Sequence, residues 1–275
     1  MIAHRAMLDV SRELARFVGR LLRAERGRRG TRRGSRALTC YWQAVVALRW
    51  FRGGGDKAAL GRDHGISRAT AYRYIDEVIE VLAAWAPDLR EVLEQAAAGG
   101  LAYVILDGKI FSADRCGEQT TSVKGTQIDL WYSGKAHEHG GLIQAICAPD
   151  GFPLWTSNVE PGSTHDLIAA QQHVLGALYA AAAKGLPTLA DLGYHGAGHG
   201  ILHPIKQPAD GGVLHIDNRT YNALMRGLRC LGERGFAVLT GRWRALRHIT
   251  ASPGKIGDIV KAALVLTHFE HGQLT

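Results

Sequence analysis

AYVILD, residues 102–107, is a continuous apolar run that ends on a carboxylate, and its reading decides the fold. A short run of this kind, with Val and Ile at its centre, reads as a buried strand. LIQAIC (142–147) and PLWTSNV (153–159) are two more, joined through the turn formers Pro149, Asp150 and Gly151, so a hairpin is expected. PTLAD (187–191) is a further strand and HPIK (203–206) a candidate short one. His165 to Ala183, rich in Ala, Leu and Gln, and Asn218 to Leu246 read as helices. Strands first, then alternating strand and helix, imply an α/β fold: a mixed sheet flanked by helices.

Upstream of Gly99-Gly100 the period is helical. Leu14, Phe17, Val18, Leu21 and Leu22 recur at helical intervals between Ser11 and Leu22. RAERGRRGTRRGSR (23–36) then sets seven arginines among glycines, which suits either an arm lying along phosphates or a solvated linker. An apolar helix follows from Tyr41 to Arg52 and stops at Gly53-Gly54-Gly55. Residues 56–85 divide into two helices. Asp56 caps a short one, Gly65 supplies a left-handed turn and Ile66 fills the corner. Ser67 caps a longer helix whose Tyr74, Ile75, Val78, Ile79 and Leu82 face a core. Gly61 lets the two helices approach closely. This is helix-turn-helix spacing and would present Arg68, Thr70, Tyr72 and Arg73 to a DNA major groove; a three-helix bundle without DNA contact is the alternative. Pro87 to Ala98 is a last helix. The expected domains are a basic N-terminal segment (1–37), a helix-turn-helix domain (38–99) and the α/β domain (100–275).

A chain of 275 residues, 46% hydrophobic and 21% charged, has enough apolar material for folded cores rather than disorder. Its formal net charge of +8 favours polyanionic partners, nucleic acid first. There is no apolar run of about eighteen residues, and the opening MIAHRAMLDVSRELARF lacks the apolar core of a signal peptide, so an intracellular protein without a membrane partner is expected. Cys40, Cys116, Cys147 and Cys230 are scattered, with no C-x-x-C pair, as reduced thiols would be.

Asp107 and Asp191 each close a buried strand, so both would stand at the C-terminal edge of the sheet, where open mixed sheets carry their sites. Glu233 falls in the long helix, where Leu224, Leu228, Leu231, Val238 and Leu239 supply apolar bulk and Arg226 and Arg229 follow the same helical steps as Glu233. Clustered carboxylates repel one another unless a cation neutralises them, and hard oxygen ligands suit Mg2+ or Mn2+. Two such ions, about 3.5–4 Å apart, would serve in-line attack on a phosphodiester.

At these residues the sequence resembles the DDE superfamily of insertion-sequence transposases, in the branch shared with Harbinger-type elements. ILDGKIF (105–111) resembles the family's first-aspartate strand, YSGKAH (132–137) its short basic segment and PGSTHD (161–166) its pre-helix turn. LADLGYHG (189–196) is similar to the second-aspartate strand and LGERGFAVLTGRWRAL (231–246) to the glutamate helix, with AALVLTHF (262–269) like the final helix. The resemblance implies a ribonuclease-H-like catalytic domain, with Asp107, Asp191 and Glu233 as catalytic residues and ligands of two divalent ions, Mg2+ or Mn2+. It implies a transposase that cleaves DNA strands and transfers them. Its partners would be double-stranded DNA at element ends and target, bound by a homo-oligomer in a bacterial cytoplasm, at the nucleoid. Lys109, Leu192, His195 and Thr240 depart from the family's usual Thr, Lys, Arg and Lys. The loss of basic groups keeps a second reading open, a non-catalytic DNA-binding protein.

Several residues have competing roles. Asp166 is a rival second aspartate, but its place in the first turn of a helix suits the helix dipole; His165 beside it reads as a turn residue. His195, His199 and His203 recur at the spacing of zinc ligands on a helix, yet Gly196, Gly198 and Gly200 argue against that helix. Lys135, His137, Arg242 and Arg244 are candidate phosphate contacts, the last two around Trp243, with a solvated surface and a buried Trp243 as the alternative.

Overall fold

The computed structural model describes residues 8–122, 125–209 and 211–274; residues 1–7 of the expected N-terminal segment lie outside the described residues. Contacts divide the chain into two units. A helical unit takes in the described residues up to Ala86, Thr240–His248 and the stretch from Asp258 onward, and a sheet unit takes in Pro87–Leu239 and Ile249–Gly257.

In the helical unit, α1 (Arg12–Arg28) starts at Ser11, whose Oγ accepts the Leu14 N–H at 3.0 Å. It runs past Leu22 into the arginine segment, because Glu25 pairs with Arg28 and Arg29 one turn on. Part of that segment is structural. Arg36 reaches the buried Glu77 at 3.1 Å, and Arg26 donates to the Leu38 carbonyl at 3.2 Å. Helix α2 (Cys40–Gly53) ends on Gly54 at φ 63°. In α3 (Lys57–Asp63) and α4 (Arg68–Ala83) the capping expectations match: Asp56 accepts from Ala58 and Ala59, Gly65 stands at φ 64°, and Ser67 accepts from Thr70 at 3.2 Å. Ile66, Ala71 and Tyr74 form the buried corner. A Cβ on Gly61 would lie 3.1 Å from both Ala71 Cβ and the Ile66 carbonyl, so glycine is what lets α3 close on α4.

The sheet unit opens with α5 (Leu89–Ala98), whose Leu89, Leu93 and Ala96 join the sheet's core. In this division the chain passes from the helical unit to the sheet unit at Ala86–Pro87, and α1 packs on α2 and α4. The strands are β1 (Val104–Ser112), β2 (Gln119–Thr121), β3 (Gln127–Asp129), β4 (Tyr132–Ser133), β5 (Glu138–Cys147), β6 (Pro153–Thr156) and β7 (Glu160–Pro161). Then come α6 (Asp166–His173), α7 (Leu175–Ala183), β8 (Thr188–Leu189), β9 (Ile201–Leu202), α8 (Ile216–Arg229) and α9 (Gly232–Arg242). The main sheet runs β4-β5-β1-β8-β9, with β6 and β7 also paired to β5. β5 is antiparallel to β1, while β8 and β9 are parallel, giving the mixed α/β sheet that the strand runs imply.

Side chains alternate across β1. Val104 and Leu106 enter the core built with α5, α6 and α7, while Ile105 lies on the other face, where Gly232 of α9 comes so close that a Cβ there would sit 2.7 Å from Ile105 Cγ2. The helix expected over 218–246 is broken after Arg229, which lets α9 begin against the sheet at Gly232. Leu224, Leu228 and Leu231, expected to supply the helix's apolar bulk, are exposed; among the residues of α8 only Met225 is buried. The helix expected over 165–183 breaks at Val174, HPIK gives way to Ile201–Leu202 as the strand, and β1 continues five residues past Asp107 to Ser112.

Replacing Gly61 with Val should lower the stability of the helical unit by roughly 1–3 kcal/mol through overpacking. Denaturant melts followed by Trp fluorescence check this; an unchanged midpoint would contradict the close α3–α4 contact.

Candidate active site

Register brings the two aspartates together. Val104 pairs with Thr188 and Ile105 with Leu189, and the parallel ladder stops there. Asp107 lies two residues beyond Ile105 and Asp191 two residues beyond Leu189, both past the end of that ladder. Asp191 leaves the sheet by capping a 3-10 turn, Leu192–Tyr194, accepting the Gly193 N–H at 2.8 Å. Asp107 stays within β1, held by its antiparallel pairing with Ala145.

Asp107 belongs to the α9 face of the sheet. Arg229, at the end of α8, places Nη1 3.6 Å from Asp107 Oδ1, with both side chains largely buried. Burial pushes the Asp107 carboxyl up to about 6; the Arg229 charge opposes this, and the charges of Asp191 and Glu233 add to it. Glu233 is exposed in the first turn of α9, between Gly232 and Gly235, the two residues that press the helix on Ile105 and Cys147. The other two expected acids, Asp191 and Glu233, thus lie within electrostatic reach of Asp107.

Gly108 faces the opposite side, and a fourth acid occupies the space its side chain would fill. A Cβ on Gly108 would meet Asp166 Oδ1 at 2.5 Å, Gln144 Nε2 at 3.0 Å and the Tyr194 hydroxyl at 3.0 Å. Asp166 is buried in the first turn of α6, where the N-cap His165 makes no side-chain capping bond, and its Oδ2 accepts Lys135 Nζ at 2.8 Å. Tyr194 donates to Gln144 Oε1 at 2.7 Å, and Gln144 takes a second bond from its backbone N–H to Ser157 Oγ at 2.9 Å. Burial holds the Tyr194 hydroxyl well above the usual tyrosine range, and the charges of Asp166, Asp107 and Asp191 reinforce it. The phenol is therefore a neutral donor that ties the 3-10 turn to β5.

A cleft of about 540 Å³ opens beside this corner, lined by Lys109, Ser133, Lys135, Ser163, His165 and Asp166 among others. Lys135 stands in the β4–β5 turn, where the Ala136 N–H bonds Ser133 Oγ at 3.2 Å and His137 takes a left-handed φ of 57°. Asp166 raises the Lys135 ammonium above the usual lysine range through its hydrogen bond, against burial and with smaller help from Asp191 and Asp107.

In chemistry, the carboxylate oxygens gathered around Gly108 and Gly193 fit a hard divalent cation. In spacing, no three His, Cys, Asp or Glu side chains among the described residues converge closely enough to hold one. The split across the two faces of β1 accounts for this: Asp107 is paired with Arg229 on one side and Asp166 with Lys135 on the other.

The family model described as DDE superfamily endonuclease matches residues 106–268, more than half of the 275-residue chain. The chain belongs to the DDE superfamily endonucleases. The match spans Asp107, Asp166, Asp191 and Glu233 alike. No curated protein and no solved structure matches the chain. Among the described residues, no helix of this endonuclease-family chain is long and apolar enough to cross a membrane.

The other expected contact residues are distributed differently. Arg68, Tyr72 and Arg73 are exposed on the first turns of α4 and Thr70 half-buried, with Arg68 stacked over the Tyr72 ring at 5.5 Å. Arg242 and Arg244 belong to the helical unit. Arg242 is committed to Glu270, at 2.7 Å, and to Asp9, at 2.9 Å, and Trp243 is fully buried with Nε1 donating to Thr267 at 2.9 Å, so it cannot stack on a base. Arg244 is exposed. His195 and His203 bring their rings to 5.1 Å edge to face, and Gly196, Gly198 and Gly200 at φ 88°, 94° and 83° hold a loop there, not a helix. Sequence reasoning missed Gln144 and Tyr194; a Gln inside an otherwise apolar strand, LIQAIC, was the available signal.

The raised Asp107 carboxyl ties stability to pH. The folded chain binds that proton more tightly than the unfolded chain, so the contribution is full below the ordinary 3.8 and lost as pH rises through about 6. Asp107→Asn cannot ionise, so relative to wild type the metal-free variant should gain up to roughly 2–3 kcal/mol between those pH values. Denaturant melts at both ends of the window check this, and a difference that does not change with pH would contradict it.

Proposed function

We propose that this DDE-family chain is a transposase of the Harbinger-like branch, which cleaves DNA strands at the ends of a mobile element and transfers them into a target. The single observation that carries the reading is the parallel pairing of Val104 with Thr188 and Ile105 with Leu189, two residues short of Asp107 and Asp191, with Asp191 and Glu233 in electrostatic reach of Asp107. The strand order, with an antiparallel β5 beside β1 and parallel β8 and β9, supports the ribonuclease-H-like fold that goes with it.

In this reading Asp107 and Asp191 hold the divalent ions and Glu233 completes the set. Bound Mg2+ or Mn2+ would supply an activated water or 3'-hydroxyl and stabilise the leaving oxygen. The chain's own groups do the remaining work. Arg229 offsets the Asp107 charge; Tyr194 and Gln144 fix the turn that aims Asp191; Lys109, Lys135 and His137 line the approach for the phosphate backbone. Arg68, Thr70, Tyr72 and Arg73 at the start of α4 are suited to a major groove, as a helix-turn-helix uses them. A homo-oligomer would pair two element ends.

A second reading, a DNA-binding protein whose chemistry has lapsed, draws on the absence of three converging ligands among the described residues and on Leu192 and His195 standing where the family is usually basic. One experiment separates the two: incubation with its own element ends in Mg2+ or Mn2+. The transposase reading predicts nicking, reduced at least about a hundredfold by Asp107→Ala, Asp191→Ala or Glu233→Ala. Nicking that survives all three substitutions would sink the site assignment; salt-sensitive binding without cleavage would select the second reading.

A further inference from the structure

One ammonium ties together three helices of the helical unit. Lys57, the first residue of α3, is only 8% exposed. Its Nζ lies 4.8 Å from the centre of the Trp50 ring on α2 and 5.1 Å from that of Tyr72 on α4, and Asp76, one turn beyond Tyr72, pairs with it at 3.3 Å. A buried ammonium is costly unless other groups replace its water, and here a carboxylate and two rings do so. The Tyr72 ring carries a second cation, the Arg68 guanidinium one turn earlier on α4, at 5.5 Å. Arg68 is exposed. Arg36, Arg49 and Arg52 of the same unit are committed to Glu77, Asp63 and Asp9, whereas among the described residues no carboxylate pairs with Arg68.

We infer that the linked contacts from Trp50 through Lys57 and Tyr72 to Arg68 are a specificity device: Tyr72, held by the buried Lys57, presents the Arg68 guanidinium to a guanine edge in the major groove. The inference rests on the helix-turn-helix reading and names the base that this module selects. Arg68 opens α4, and the N-terminal residues of a recognition helix are the ones that meet base edges. Exposed Asp76 and Glu80 follow on α4, so its Arg68 end is the one suited to a polyanion. With no carboxylate on its donors, the guanidinium fork is open to the paired O6 and N7 acceptors of guanine. An exposed arginine loses much rotamer freedom on binding, and one already resting on a fixed ring loses less. Lys57 touches no base in this account. It acts through Tyr72 and is a positioning residue, pinned in turn by Trp50 and Asp76.

The test uses the full chain in a metal chelator and a library of random-sequence DNA duplexes. Bound duplexes are sequenced, and affinity for the selected duplex is compared with affinity for the same duplex carrying A·T in place of one G·C pair. Wild type should select a guanine whose replacement lowers affinity about tenfold. Arg68→Ala should bring that ratio close to one. Lys57→Met and Tyr72→Leu should each shrink it at least about threefold, with little change in affinity for the A·T duplex, and Tyr72→Phe, which keeps the ring, should retain it. A merely structural tie would weaken both duplexes equally and leave the ratio unmoved, so that result with Lys57→Met overturns the inference. If Lys57→Met does not fold, as judged by circular dichroism, Tyr72→Leu decides alone, and an unchanged ratio overturns the inference. Arg68→Ala weakening every duplex equally marks a phosphate contact; the guanine role then fails while the helix-turn-helix reading stands. A chain that selects no sequence, or whose selection survives combined Arg68→Ala and Arg73→Ala, sinks that reading and the inference with it.

Discussion

Parallel pairing of Val104 with Thr188 and of Ile105 with Leu189 sets the segments that carry Asp107 and Asp191 side by side. Like charges in a partly buried corner repel, and each also loses hydration. The surroundings answer that constraint. Arg229 approaches Asp107 from the α9 face, Lys135 reaches Asp166 from the other, and the Gly193 N–H accepts the role of donor to Asp191. What makes the corner costly in the metal-free chain is also what would make it receptive to a cation.

Glycines set how closely the pieces approach. Gly108 yields its side-chain space to the Asp166 carboxylate, and Gly232 and Gly235 let α9 lie on Ile105 and Cys147 so that Glu233 starts its helix near the sheet edge. Beneath them Tyr194 and Gln144 form a buried bond that joins β5 to the turn carrying Asp191. An acid set of this kind requires rigid support, because carboxylates that repel one another would otherwise turn out to solvent.

Much of this was legible in the sequence. Short apolar runs before Asp107 and Asp191 announce the two strands, although β1 continues past Asp107 to Ser112, and the caps at Asp56 and Ser67 with Gly65 between them announce the α3–α4 turn, because capping and left-handed turns depend on local chemistry alone. What was not legible depends on tertiary contact. Asp166 reads as a capping acid by position, and only the fold reveals that it faces Gly108 and Lys135. Arg242 reads as a phosphate contact, yet Glu270 and Asp9, far away in sequence, absorb it, and Trp243 takes the buried alternative with Thr267 as its partner. The break between α8 and α9 follows from the need to seat Gly232 on β1, which no helical period signals. The leucines of α8 share their intervals with core residues and remain exposed.

The central claim is that Asp107 and Asp191 share one cation site on the sheet edge, and metal-directed backbone cleavage tests it most directly. Fe2+ bound in place of Mg2+ generates hydroxyl radicals that cut the chain only beside the metal, and the fragments can be mapped by mass spectrometry. The account predicts paired cuts near residues 107 and 191, both lost when Mn2+ competes and both lost in Asp191→Asn. Cuts confined to the His195–His203 loop, or cuts near only one of the two aspartates, would contradict it.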